Sequence, residues 1–387
     1  MKLEVTRIVC GLVPYGTDQA PSHNLQRQSG ITEHGVQQRR KISQNRALSV
    51  PCMLGLFLAA VATLIPAPDA CAQSTTTGGF TTGPIPTSPP ITTPLSPSQI
   101  IPSATYATAG IALRNRGAGN ISISGFVGAP TVAYIYWAVL CPTSGCPVPS
   151  TQIEIEQLFP GVVGPVLLAG TQIGMGPTPC WGAGNVVVFR APVPLAIATG
   201  NGSYQITIPP GGQAIVNGAS PWSAFALPTW EGASLVLIGP SPSGVGTVSI
   251  YDVGLAGNMF VPVPAFNYTL ALPVPVPAGS STFLDNIGAD GQHFVPRAAI
   301  LPVSDETTSI NAVPIAGPGS QYNDSDWNGS AGFTLTELWD DTAHDITAAA
   351  PAGTNLLKVS IGSAAASTGT TGFPADCLVT VANIVQE

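Results

Sequence analysis

Charge is scarce in this chain, and positive charge is scarcest. Seven of the 12 Lys and Arg residues precede residue 73: Lys2, Arg7, Arg27, Arg39, Arg40, Lys41 and Arg46. The rest of the chain keeps Arg114, Arg116, Arg190, Arg297 and Lys358 against 16 acidic residues, a net charge of −11. So acidic a polypeptide has no electrostatic footprint for nucleic acid or an anionic membrane. The acidity suits cation binding, or solubility achieved without lysine. Long stretches with apolar residues at helical spacing are also missing, which argues against a helical fold. Catalytic motifs are missing too. There is no Gly-x-Ser-x-Gly elbow, no phosphate loop, no Gly-x-Gly-x-x-Gly after a strand and no His-Glu-x-x-His. Lys358 lies within a strand-like run, where nothing supports a Schiff-base role.

What is abundant is Gly (43) and Pro (39), between short runs rich in Val, Ile and Thr. Such runs at 121–126, 132–140, 152–156, 186–189, 204–208, 234–238 and 247–251 are each bounded by Gly, Pro or Asn. A second group lies at 298–303, 334–338, 356–361 and 378–385. This texture predicts an all-β fold, an antiparallel Greek-key or jelly-roll sandwich or two sandwiches packed together. The Val-Pro alternation at 261–280 bars a central strand and reads as an edge or a connection. No fixed repeat period emerges, which argues against solenoids and propellers.

The chain divides by composition. Residues 53–65 form a short apolar run preceded by Arg39, Arg40, Lys41 and Arg46 and followed by Ala70, Cys71 and Ala72. This pattern predicts a secretory signal cleaved before Gln73, within an export segment 1–72 whose first residues are atypical. Residues 73–105 read as a Thr/Pro-rich tether. Residues 106–270 and 271–387 read as two β-sandwich halves. The expected location is secreted, extracellular or at the cell surface.

Four cysteines follow the signal, and an even count in an exported chain predicts two disulfides. Cys141–Cys146 would close a turn built on Pro142 and Gly145, leaving Cys180–Cys377 as a long-range staple.

Four groups of residues carry candidate chemistry. Asp324, Asp326, Asn328 and Gly329 match the opening of a calcium loop, whose alternate oxygens converge on a hard cation; Asp340, Asp341 and Asp345 could complete it. Residue 335, the twelfth position, is Leu, so the loop is no EF-hand. Gln152, Glu154 and Glu156 share one strand face, and His344 with Asp345 is a possible base with its orienting acid. Trp222, Trp230 and Trp327 fall in loop-like contexts and could form platforms for sugar rings, whereas Trp137 lies inside an apolar strand and reads as core.

Two resemblances follow from these residues. The 152–156 strand resembles the Glu-x-Asp-x-Glu strand of laminarinase-type jelly-roll glycoside hydrolases. Gln152 stands where that family has its nucleophile, so retaining chemistry is not implied. The strands at 132–138, 231–238 and 248–252 resemble an uncharacterised β-sandwich domain of secreted, adhesin-like bacterial and archaeal proteins. So do 327–332, 338–341 and 376–379. That resemblance implies an extracellular β-rich module without known catalysis. The leading expectation is a non-enzymatic module binding a surface, a glycan or a matrix component, with calcium as a possible cofactor and no nucleic-acid partner or membrane span. The alternative is a secreted hydrolase of polysaccharide or another polymer, using Glu154, Glu156 or the His344/Asp345 pair.

Overall fold

The computed structural model describes residues 91–177, 184–219, 225–258, 266–289, 306–317, 326–327, 329, 331, 338–363 and 377–387. Among them are eighteen β-strands, one 3-10 turn at Val148–Thr151 and no α-helix. No helix among these residues is long and apolar enough to cross a membrane. All strand pairing within the sheets is antiparallel, so the all-β expectation holds.

Four sheets form. Sheet I runs β1 (Gln99–Pro102), β11 (Thr247–Asn258), β18 (Cys377–Gln386), β13 (Phe283–Ala289) and β16 (Trp339–Asp345). Sheet II runs β2 (Ala104–Ala112), β10 (Thr229–Pro240), β4 (Val132–Cys141), β8 (Asn185–Pro192) and β7 (Thr171–Pro177). Sheet III runs β12 (Phe266–Ala271), β17 (Leu356–Ser363), β14 (Glu306–Ile310) and β15 (Val313–Ala316). Sheet IV runs β3 (Ala118–Ile123), β9 (Gly202–Thr207), β5 (Gln152–Phe159) and β6 (Val163–Ala169).

Side-chain alternation shows how the sheets stack. Along β4, Ile135, Trp137 and Val139 enter one core with Ile121, Ile153, Ile155 and Ile206 of sheet IV. The intervening Tyr136, Ala138 and Leu140 enter a second core with Val248, Ile250, Ile287 and Ile384 of sheet I. The opposite face of sheet I supplies Tyr251, Leu284 and Val385 to a third core, with Leu270, Ile310 and Val359 of sheet III. The layers therefore run IV, II, I, III. Antiparallel sheets often face water on one side. Sheets II and I have packed layers on both faces, which explains why the 132–140 and 235–238 runs are continuously apolar rather than alternating.

Glycine sets the spacing between the two central sheets. Trp339 is fully buried, and its ring lies where a Cβ on Gly232 would sit 2.5 Å from it. Its indole N–H donates to Ser234 Oγ at 2.9 Å. At the other end, a Cβ on Gly174 would come within 2.4 Å of the Gly254 carbonyl, so β7 and β11 meet backbone to backbone.

The end of the Thr/Pro-rich segment belongs to the fold rather than to a free tether. β1 pairs with β11, Leu95 bridges Leu270, and Ile91 and Leu95 pack on the third core. Apolar Ile and Leu between the prolines give this stretch surface to bury. The chain passes from sheet II to sheet I between β10 and β11. β11 and β12, in the 106–270 segment, therefore join the sheets built otherwise from later strands and β1.

Candidate functional site

Three sheet edges converge on one cleft. β2 is an edge of sheet II, β3 of sheet IV and β16 of sheet I. The cleft measures about 440 Å³ and is walled by Thr108, Asn120, Ser122, Asp285 and Asp341, with the small residues Gly110, Ala331 and Ala343 between them. Alternation places each side chain. Ile121 and Ile123 face the sheet II–IV core, which turns Asn120 and Ser122 outward. Ile287 and Ala289 face sheet II, which puts Asp285 on that same side of β13. Asp341 lies on the adjacent strand two positions from Trp339, whose ring also faces sheet II.

At the base, one hydroxyl joins two carboxyl groups. Thr108 Oγ1 lies 2.6 Å from Asp285 Oδ2 and 2.6 Å from Asp341 Oδ1. The two carboxyl oxygens are therefore no farther apart than twice that distance. A hydroxyl carries one hydrogen. It donates to one carboxylate, and without a cation the other contact needs a proton on the carboxyl itself. Asp285 is 1% exposed and Asp341 is half-buried. Burial pushes the Asp285 carboxyl well above its usual range, the charge of Asp341 adds to this, and the Thr108 hydrogen bond opposes it. Burial likewise raises Asp341 to about 6, against hydrogen bonds from Ser234 and Thr108. Tyr106, two residues along β2, is held neutral by burial and by both carboxylates. Two like charges that share one hydroxyl in a low-dielectric site titrate as a pair. Clefts with such pairs are where binding and catalysis concentrate.

The residues singled out in the sequence fall elsewhere. His344 and Asp345 are neighbours on β16, so their side chains leave opposite faces and do not form a base–acid pair. His344 Nε2 is hydrogen-bonded to Asp326 Oδ1 in the sheet I–III interior. Asp345 is exposed, and hydrogen bonds from the Thr347 hydroxyl and from the Thr347 N–H, the latter at 2.9 Å, hold its carboxyl below the usual range. Within the calcium-loop motif, Asp324 and Asn328 lie outside the described residues. The buried Asp326 accepts hydrogen bonds from Thr342 and His344. Asp340 accepts the Gly329 N–H at 2.7 Å. Among the described residues no three His, Cys, Asp or Glu side chains converge as a metal-binding group.

Glu154 and Glu156, with Gln152, occupy the outer face of β5, alternating with the buried Ile153 and Ile155. Two of the tryptophan platforms are interior. Trp230 is fully buried, stacked parallel on Trp137 with centroids 5.7 Å apart, and donates its N–H to Gly212 O. Trp327 is fully buried against Gly288. An aromatic ring in a loop-like sequence has as much to gain from burial as one in a strand. Trp222 lies outside the described residues. The Cys141–Cys146 disulfide is present. Its proposed companion involves Cys180, which also lies outside them.

Reasoning from the sequence missed Asp285, although one signal was available. It is a lone carboxylate in the apolar strand β13, where an unpaired charge is costly without a purpose.

No known protein family and no curated protein matches this chain. Solved structures offer slight similarity. The PBCV-1 Vp54 structure fitted into a reconstruction of the virophage Sputnik shares 12% identity over 75% of this chain and 93% of its own, with a TM-score of 0.20. The CUB1-EGF-CUB2 region of human MASP-1/3 shares 8% identity over 72% and 99%, with a TM-score of 0.15. At these scores neither similarity bears on the fold or the function of this chain.

Proposed function

We propose that this protein is an extracellular, non-enzymatic β-sandwich module that binds a hydroxyl-rich ligand, a surface or matrix glycan, in the three-edge cleft. The observation that carries the reading is the lining: two carboxyl groups, two hydroxyls and an amide set among the small residues Ala109, Gly110, Ala331 and Ala343. Sugar hydroxyls both donate and accept, and so does this set. Sheet edges fix the donors and acceptors on rigid backbone, which keeps the ordering cost of binding low. The Cys141–Cys146 disulfide supports an oxidising compartment, in keeping with the export signal read at 53–72.

The test is retention of the purified protein on insoluble polysaccharides and a glycan array, beside Asn120→Ala and Ser122→Ala. Saturable retention that both substitutions weaken supports the reading; retention indifferent to both removes the cleft from it. A second reading, a polymer hydrolase, is favoured by one observation, the carboxyl pair at the base of the cleft. Reducing-sugar release that Asp341→Asn abolishes would put that reading first.

A further inference from the structure

We propose that Asp285, Asp341 and Thr108 form a binding site for a hard divalent cation of the calcium class, entered from the cleft. The oxygens already converge, because both carboxyl groups stand 2.6 Å from the same hydroxyl. That hydroxyl has one hydrogen to offer, so it cannot satisfy both carboxylates. The remaining oxygens are uncommitted as well. Asp285 Oδ1 and Asp341 Oδ2 are buried and have no hydrogen-bond partner. Asp285 lines the cleft while 1% exposed, and a buried carboxylate with an idle oxygen is expensive unless something supplies positive charge.

Among the described residues, no cationic side chain acts on Asp285. The charged neighbours acting on Asp285 are the carboxylates Asp341 and Asp326. Arg114 is paired with Glu231, and Arg190 with Asp252. His344, the nearest imidazole along β16, points away into the third core. A cation would neutralise both carboxylates at once.

The donor chemistry selects the class. Carboxylate, hydroxyl and amide oxygens suit calcium or magnesium, and the absence of sulfur and imidazole from the cleft lining disfavours zinc and copper. Two carboxylates with neutral oxygens make a weak site rather than a buffer-type one. Calcium tolerates irregular geometry and completes its shell with water, which the open cleft can deliver.

The purified protein, stripped with EDTA, is titrated with CaCl₂ by calorimetry and melted with and without the ion. The expected result is a single site with Kd on the order of 10⁻⁴–10⁻³ M and a higher melting temperature in CaCl₂. Asp341→Asn and Thr108→Val, each checked for an unchanged circular dichroism spectrum, should weaken binding about tenfold or more, in line with the loss of one ligand. Asp324→Ala should leave it unchanged. The inference is overturned if no binding occurs up to about 10 mM calcium, well above the weakest extracellular sites. It is also overturned if binding survives Asp341→Asn, or is lost in Asp324→Ala alone. Because the metal is titrated alone, this outcome is independent of whether the cleft holds a glycan.

Discussion

Trp327 distinguishes an exposed binding platform from a packed interior, and Gly288 makes the test quantitative. A Cβ built on Gly288 would lie 2.2, 2.8 and 3.0 Å from three carbons of the Trp327 ring, which are the nearest atoms it meets. Gly288 has no left-handed backbone conformation, so Gly288→Ala adds crowding without torsional strain. Overpacking of this kind costs roughly 1–3 kcal/mol. Trp327→Ala empties a fully buried indole site and should cost about 3–5 kcal/mol. In the double variant the new methyl group has room. The penalty of Gly288→Ala should therefore vanish or reverse, a coupling of about 1–3 kcal/mol between touching residues. Urea titrations of the four proteins measure this. At this chain size 1 kcal/mol moves the melting temperature by about 2–4 °C, so thermal melts resolve it too. If Trp327→Ala left stability within about 0.5 kcal/mol while removing ligand binding, the burial argument would be wrong. Strict additivity of the two substitutions would refute the contact.

Two further predictions follow from the carboxyl pair and the disulfide. A carboxyl whose pKa is raised by folding, as that of Asp341 is to about 6, contributes stability that is present below its unfolded value and lost as pH rises through about 6. In EDTA, the stability difference between the wild type and Asp341→Asn should therefore move against the wild type between about pH 4 and pH 7, by at most about 3 kcal/mol. A pH-independent difference in paired urea titrations would contradict the burial of the pair. Replacing Cys141 and Cys146 by Ser reopens a loop of sequence separation 5, which chain entropy values at about 2 kcal/mol, and non-reducing mass analysis of the wild type should find no free thiol at either position.

Much of the fold is legible in the local sequence. Gly and Pro punctuation, β-branched runs and the absence of helical periodicity act within a few residues, and they suffice to dictate antiparallel strands and the short Cys141–Cys146 closure. The continuous apolar character of 132–140 and 235–238 even carries the double-sided burial of sheet II, because a strand between two cores has no solvent-facing polar side to show.

The stacking order and the cleft are tertiary facts. Thr108 is separated from Asp285 and Asp341 by 177 and 233 residues along the chain, and the stacking of sheet II on sheet I brings its hydroxyl within 2.6 Å of both carboxyl groups. The adjacency of His344 and Asp345 suggested a partnership that strand alternation dissolves, sending His344 to Asp326 instead. Trp230 lies at the start of β10 and Trp327 in a polar stretch of sequence, and the burial of both depends on what packs above them from distant strands. Period and punctuation are local and survive in one dimension. Which edge meets which edge is decided by how four sheets bury their faces, and the site is made at those edges.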